Sequence, residues 1–222
     1  MAYSLIALVC AQQALSVVPV LTEVEQFLSK MRHAYSRVER ASGEATIRYF
    51  GTLGMPGSGS GTTRRTSSFR YSSAPHLEVT VHYPGEQSVF LATDGVRSTS
   101  VDLQGVVTKS PFEVERFSTI ASTGVATLFL TWDRSLSTDI GGWMLGSNLR
   151  IERNVEWKGK RWLELIQERP SDNGMIAGYL IDPETMLVHR TRYGRRGGQA
   201  VLVAEADRLD VQMKSSEGPA GE

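Results

Sequence analysis

Residues 22–50, TEVEQFLSKMRHAYSRVERASGEATIRYF, contain the two patterns that decide the fold. In the first part of this stretch, apolar residues recur at spacings of three and four, which is typical of an amphipathic helix. The residues of this apolar stripe are Leu21, Val24, Phe27, Leu28, Met31, Tyr35 and Val38. Thr22 and Glu25 form a capping-box pair at its start, and Gly43 is a suitable C-terminal cap. The sequence therefore predicts a helix from about Thr22 to Ser42-Gly43.

From Glu44 onward the period changes from 3.6 to 2, and Ala45, Ile47 and Tyr49 alternate with polar neighbours, which indicates a strand. A glycine- and serine-rich connection at 51–63 separates this strand from later segments of the same kind. These further predicted strands are 65–71, 77–83, 88–93, 96–103, 149–157, 161–168, 175–181, 186–193 and 201–211. Short turn sequences lie between most of them, so neighbouring strands are expected to pair antiparallel.

Two turns and one helical region complete the prediction. Asp94-Gly95 favours a type I′ hairpin, and Lys158-Gly159-Lys160 indicates another tight turn. Between them, residues 111–132 lose the alternation. Pro111 suits the first turn of a helix, and the apolar residues that follow have helical spacing, so one or two short helices are expected. Those apolar residues are Val125, Leu128, Phe129 and Trp132.

The composition excludes several classes of function. Lysine plus arginine equals aspartate plus glutamate at 24 each, which argues against a broad grip on nucleic acid. Cys10 is the only cysteine, so an intramolecular disulfide, a CxxC pair or a thiolate zinc site cannot form. His76 and His82 have no evident third ligand, and the glycine-serine run at 57–61 is out of phase with a nucleophile elbow. We therefore expect no catalytic residues, no cofactor and no metal.

The ends of the chain suggest its processing. Residues 2–11, AYSLIALVCA, are uncharged, apolar and end in small side chains, which is typical of a truncated signal peptide at 1–11. The alternative is an N-terminal helix of the mature fold. Residues 12–213 are predicted to form a single domain, and the polar segment 214–222 a disordered tail.

Three local motifs, in this order, resemble the LolA/LolB-like family of periplasmic lipoprotein carriers. The first is Arg65 followed by Phe69 and Tyr71; the second is the strand 89–95, ending in Asp-Gly; the third is 179–185, YLIDPET. The resemblance implies an α+β fold in which a curved antiparallel half-barrel of about nine to eleven strands is covered by an N-terminal helix and one or two short mid-chain helices.

The resemblance also implies a function. It predicts a monomeric extracytoplasmic carrier that holds lipid or lipoprotein acyl chains in an apolar cavity and meets the membrane only transiently. An envelope sensor that binds a peptide or protein partner is the alternative. Arg65 would latch the helical lid to the sheet, unless it is simply solvated. The residues expected to line the cavity, unless they form a closed core, are Phe27, Met31, Tyr35, Ile47, Tyr49, Phe69, Tyr71, Phe90, Leu91, Phe129 and Trp132.

Overall fold

The computed structural model describes residues 22–50, 62–74, 76–85, 87–113, 124–136, 148–168, 175–195 and 200–214. The expected signal peptide at 1–11, most of the connection at 51–63 and all but the first residue of the predicted tail lie outside these ranges. The described residues form helices α1 (Glu23–Ser36) and α2 (Gly124–Ser135). Their strands are β1 (Val38–Phe50), β2 (Thr62–Ser72), β3 (His76–His82), β4 (Ser88–Thr93), β5 (Arg97–Val101), β6 (Val107–Pro111), β7 (Asn148–Trp157), β8 (Lys160–Glu168), β9 (Met175–Ile181), β10 (Val188–Arg195) and β11 (Ala200–Met213).

All of these strands form one antiparallel sheet with the order β6-β5-β4-β3-β2-β1-β11-β10-β9-β8-β7. Two meanders, β1–β6 and β7–β11, are joined where the two longest strands, β1 and β11, pair along most of their length. The sheet is curved and unclosed, with β6 and β7 at its two edges. The predicted α+β half-barrel is therefore confirmed.

Helix α1 begins as predicted but ends seven residues early. The Thr22 hydroxyl accepts a hydrogen bond from the Glu25 backbone N–H at 3.2 Å, and the Glu25 carboxylate accepts one from the Thr22 N–H at 2.6 Å. The helix stops at Ser36, and residues 38–43 belong to β1 instead. The prediction of a helix to Ser42-Gly43 is wrong because these residues pair with β2 on one side and β11 on the other, which outweighs a local helical pattern.

The hairpin after β4 also differs from its prediction. Gly95 has a φ of 83°, but Asp94 does not have positive φ, so the turn is not type I′. The Asp94 carboxylate instead accepts hydrogen bonds from the N–H groups of Val96 and Arg97, at 2.9 and 2.7 Å. Positive φ at both central positions occurs after β7, at Lys158 (49°) and Gly159 (72°), where the tight turn was predicted.

Strand β6 was not predicted, and Pro111 does not start a helix. Pro111 is the last residue of β6, opposite Arg97 of β5, and the described part of the following helix begins at Gly124. An edge strand tolerates a proline because one of its sides makes no ladder hydrogen bonds. The short, exposed β6 lacks the alternation of buried residues on which the other strand predictions rest.

Helix α2 covers one face of the sheet through an aromatic cluster. The Phe129 ring is 1% exposed, and its centroid lies 5.2 Å from that of Tyr35, 5.8 Å from Phe69 and 5.7 Å from Tyr71. One side chain of α2 thus contacts α1 and β2 together. Aromatic pairs at these spacings contribute beyond their buried area. We call the face that carries the two helices the inner face of the sheet.

Truncation of Phe129 tests whether this cluster holds the fold together. We predict that Phe129→Ala lowers the free energy of unfolding by about 3–5 kcal/mol, because it leaves a cavity between both helices and the sheet. Phe90→Ala is the matched control. Phe90 lies opposite Thr80 on the outer face of the sheet, so this variant should show a clearly smaller loss in the free energy of unfolding. Chemical denaturation of both variants measures the difference. Equal losses would contradict the central place of Phe129.

Candidate functional site

Most of the residues predicted to line a cavity pack against one another on the inner face. Those buried in the core are Phe27, Met31, Tyr35, Ile47, Tyr49, Phe69, Tyr71, Leu91 and Phe129. Trp132 is partly buried against them, whereas Phe90 lies on the outer face and is not part of this set. In the described part of the chain, these residues are thus shielded from solvent and in contact with one another. Their contact with a ligand stays a prediction.

An open groove remains beside α1, with a volume of about 800 Å³. It lies between this helix, strands β7 and β8, and the turn before β10; we call it the α1 groove. Helix α2 makes its main contacts with α1, β2, β3, β10 and β11, whereas α1 contacts β7, so the groove lies to one side of the aromatic cluster. Its apolar surface comes from Phe27, Ala34, Ile151, Leu163, Met186 and Met213.

The rim of the α1 groove is basic. Lys30 and His33 lie three residues apart on one side of α1, and Arg37, the C-cap residue of the helix, follows four positions later. None of the three forms an ion pair with another described residue. Across the groove, Arg153 of β7 binds Glu23. Glu184 lies 3.6 Å from Lys160, but that ammonium also binds Asp182 at 3.1 Å, so Glu184 is only partly compensated. Among the described residues, the rim thus carries two cations without an ion pair, Lys30 and Arg37, together with the partly compensated Glu184.

Two contacts fix α1 against the sheet and so set the width of the groove. The Tyr35 hydroxyl accepts a hydrogen bond of 3.1 Å from the backbone N–H of Val188, the first residue of β10. At the end of the helix, the Lys214 ammonium donates to the Ser36 carbonyl at 2.9 Å. Complete burial raises the pKa of Tyr35 far above its usual range, so the phenol remains neutral in the folded protein.

Arg65 lies on β2, a central strand with β1 and β3 on either side, rather than at a sheet edge. Its guanidinium carbon is 4.1 Å from the centre of the Tyr83 ring and 4.9 Å from that of Tyr49. The buried Arg65 Nε and the neighbouring Ser67 hydroxyl both lack a hydrogen-bond partner among the described residues. A cation held between two aromatic faces is stabilised by their quadrupoles. The proposed latch to a helix backbone stays a prediction.

The two histidines considered as ligands lie at opposite ends of β3. His76 Nε2 contacts the Glu78 carboxylate at 3.0 Å, and His82 Nδ1 contacts the Ser88 hydroxyl at 2.9 Å. Each ring thus has a different local partner. Within the described ranges, no group of three histidine, cysteine, aspartate or glutamate side chains is arranged to hold a metal ion.

Several groove residues were not singled out from the sequence. Ile151 and Leu163 sit on strands with alternating patterns, but the sequence does not show that α2 leaves them uncovered. A signal was present on α1, because Lys30, His33 and Arg37 share one side of the helix beside its apolar stripe. Of the predicted cavity residues, Phe27 is the one that the structure also places in the lining of the α1 groove.

Removal of the Tyr35 hydroxyl tests the anchoring of α1. We predict that Tyr35→Phe lowers the free energy of unfolding by about 1–3 kcal/mol, because the buried Val188 N–H loses its acceptor. Tyr193→Phe, at an exposed tyrosine, should change it little.

The raised pKa of Tyr35 makes the free energy of unfolding depend on pH. The folded state holds the Tyr35 proton more tightly than the unfolded state does. The protonated phenol therefore contributes fully to the free energy of unfolding below about pH 10, and this contribution declines at higher pH. Chemical denaturation of the wild type and of Tyr35→Phe at a series of pH values around and above pH 10 measures this decline. An equally steep decline in both proteins would contradict the assignment.

The described helices include none with the length and hydropathy that a membrane crossing requires.

Neither the family models nor the curated proteins that were searched match this sequence. Solved structures do match.

An uncharacterized conserved protein from Thermus thermophilus has a TM-score of 0.55 at 9% identity, over 87% of this chain and 90% of that one. A chain of the MucA/MucB complex of Pseudomonas aeruginosa has a TM-score of 0.51 at 13% identity, over 88% of this chain and 59% of that chain. The present chain thus spans about three fifths of the latter. The matches also include a LolA superfamily protein from Nitrosomonas europaea, with a TM-score of 0.41 at 10% identity, over 89% and 97% of the two chains. What the first two of these proteins share with this chain is the fold.

Proposed function

We propose that this protein binds an amphiphile, a lipid or the acyl chains of a lipoprotein, in the α1 groove and carries it outside the cytoplasm. One observation supports the proposal above all: the groove combines an apolar surface with two cations on its α1 side, Lys30 and Arg37, that have no ion pair among the described residues. An amphiphile with an acidic head group matches both parts. The extracytoplasmic setting rests on the signal-like segment 2–11.

Affinity for an acyl chain in the groove would come from the methylenes that it removes from water. Each methylene transferred from water contributes about 0.8 kcal/mol, so about ten of them correspond to roughly micromolar binding before ordering costs are counted. Because the inner-face core residues are shielded from solvent whereas the α1 groove is open, we place the ligand beside α1 rather than beneath α2. Lys30 and Arg37 would then face the head group, while Ile151 and Leu163 contact the chain.

A second candidate is a protein-interaction module, and the fold likeness to a chain of the MucA/MucB complex favours it. An amphipathic, acidic peptide would fit the same groove. Native mass spectrometry of the protein purified from a bacterial envelope separates the two. Co-purifying masses of lipid size support the carrier, whereas a stoichiometric protein partner without lipid supports the interaction module.

Filling the groove tests the site directly. We predict that Ala34→Phe weakens binding of a fluorescent long-chain fatty acid by about tenfold or more, because the ring occupies the space of the chain. Ala92→Phe places the same ring on the outer face and should leave binding unchanged. Fluorescence titration of both variants measures the affinities. Unaltered binding by folded Ala34→Phe would rule out the groove.

Charge reversal at the rim tests the head-group preference. We predict that Lys30→Glu combined with Arg37→Glu weakens fatty-acid binding, because two attractive charges become repulsive. Binding of an uncharged monoacylglycerol should change little, and the wild-type preference for the fatty acid should shrink at high salt. Arg40→Glu, at an exposed position of β1, is the control. Equal loss for charged and uncharged ligands would contradict the assignment.

A further inference from the structure

A second cavity lies on the outer face of the sheet, away from the α1 groove. Its volume is about 250 Å³, well above the roughly 30 Å³ that one water occupies in the liquid. Three strands, β8, β9 and β10, supply most of its lining. The lining residues are Val155, Glu164, Gly178, Leu180, Arg190 and Arg192.

One of the two arginines is already neutralised by an ion pair. Arg192 Nε and Nη2 donate to the two carboxylate oxygens of Glu164, at 2.5 and 3.1 Å, so the pair is bidentate. It crosses β9 above Gly178, where a Cβ would lie 2.5 Å from the Glu164 Oε1 and 2.7 Å from the Arg192 Nε. The pairing with Glu164 raises the pKa of Arg192. Glycine at 178 is therefore what allows this pair to form.

The other arginine has no such partner among the described residues. Arg190 lies two residues before Arg192 on the same face of β10, and its Nε is buried without a hydrogen-bond partner. The acidic residue opposite it in register is Glu205 of β11. That carboxylate is engaged by Lys158 at 2.8 Å and lies 3.8 Å from Arg48. Arg190 is thus a partly buried cation whose register partner, Glu205, binds other cations and whose neighbour in the cavity lining, Glu164, binds Arg192.

The geometry points to a binding site for a small oxyanion, phosphate or carboxylate, held by Arg190 in this outer-face cavity. A buried donor without an acceptor is unfavourable, and a guanidinium fork fits such oxyanions in bidentate fashion. With Glu164 and Glu205 both paired, neither acid needs to be displaced for an anion to enter. Val155 and Leu180 would contact a short apolar substituent next to the anionic group.

The test uses the full chain and inorganic phosphate, with the Arg Nε–Hε resonances followed by NMR. Saturable, millimolar binding that shifts the Arg190 resonance is expected. Arg190→Gln should weaken binding by about tenfold, and Arg190→Lys, which keeps the charge but loses the fork, should also weaken it. Arg161→Gln, at an exposed arginine, is the control. No saturable shift in the wild type, or equal binding by folded Arg190→Gln, would overturn the proposal.

Two further measurements identify the source of the anion and distinguish the outer-face cavity from the α1 groove. Vesicles containing phosphatidylglycerol, added in place of phosphate, show whether a lipid head group reaches Arg190. A shift with vesicles supports a lipid source, and a shift with phosphate alone supports a free anion. Ala34→Phe, which fills the α1 groove, should bind phosphate like the wild type. Loss of phosphate binding in that variant would contradict a separate outer-face site.

Discussion

The contact of Phe129 with Tyr35, Phe69 and Tyr71 decides what space the curved sheet leaves open. A half-barrel of eleven strands has a concave face that must be covered, and here one ring from α2 closes its centre against α1 and β2. The main contacts of α2 are with strands on either side of β1, and not with β7. The apolar surface that α2 does not contact therefore lies beside α1, toward the β7 edge of the sheet. The α1 groove is the consequence of that arrangement.

The architecture could be predicted largely because most strands have one buried and one exposed face. Strands 88–93 and 175–181 were predicted with the bounds that the structure shows. Helix α1 was extended too far because the apolar stripe reaches Val38 and Gly43 suits a C-terminal cap, whereas pairing with β2 and β11 makes residues 38–43 a strand. Strand β6 was missed because an exposed edge strand has no buried alternation to detect.

The candidate sites could be predicted less well, for a physical reason. An apolar stripe is the same whether it packs against the protein or against a ligand, and Phe27 lies both in the core and at the groove. Neighbours such as Phe90 and Leu91 point to opposite faces, so adjacent apolar residues of one strand cannot line one cavity. The Glu164–Arg192 pair above Gly178 depends on three strands, whose adjacency no local pattern reveals.

The central claim is that an acyl chain lies in the α1 groove, and its position can be measured with a spin-labelled fatty acid. Paramagnetic broadening of methyl resonances reports distance from the label at each side chain. The account predicts strong broadening at Ile151, Leu163 and Met186 of the groove, with Val79 and Leu91 of the buried inner-face core unaffected. Broadening centred on Val79 and Leu91 would show that the ligand enters the interior, and broadening at neither would contradict lipid binding.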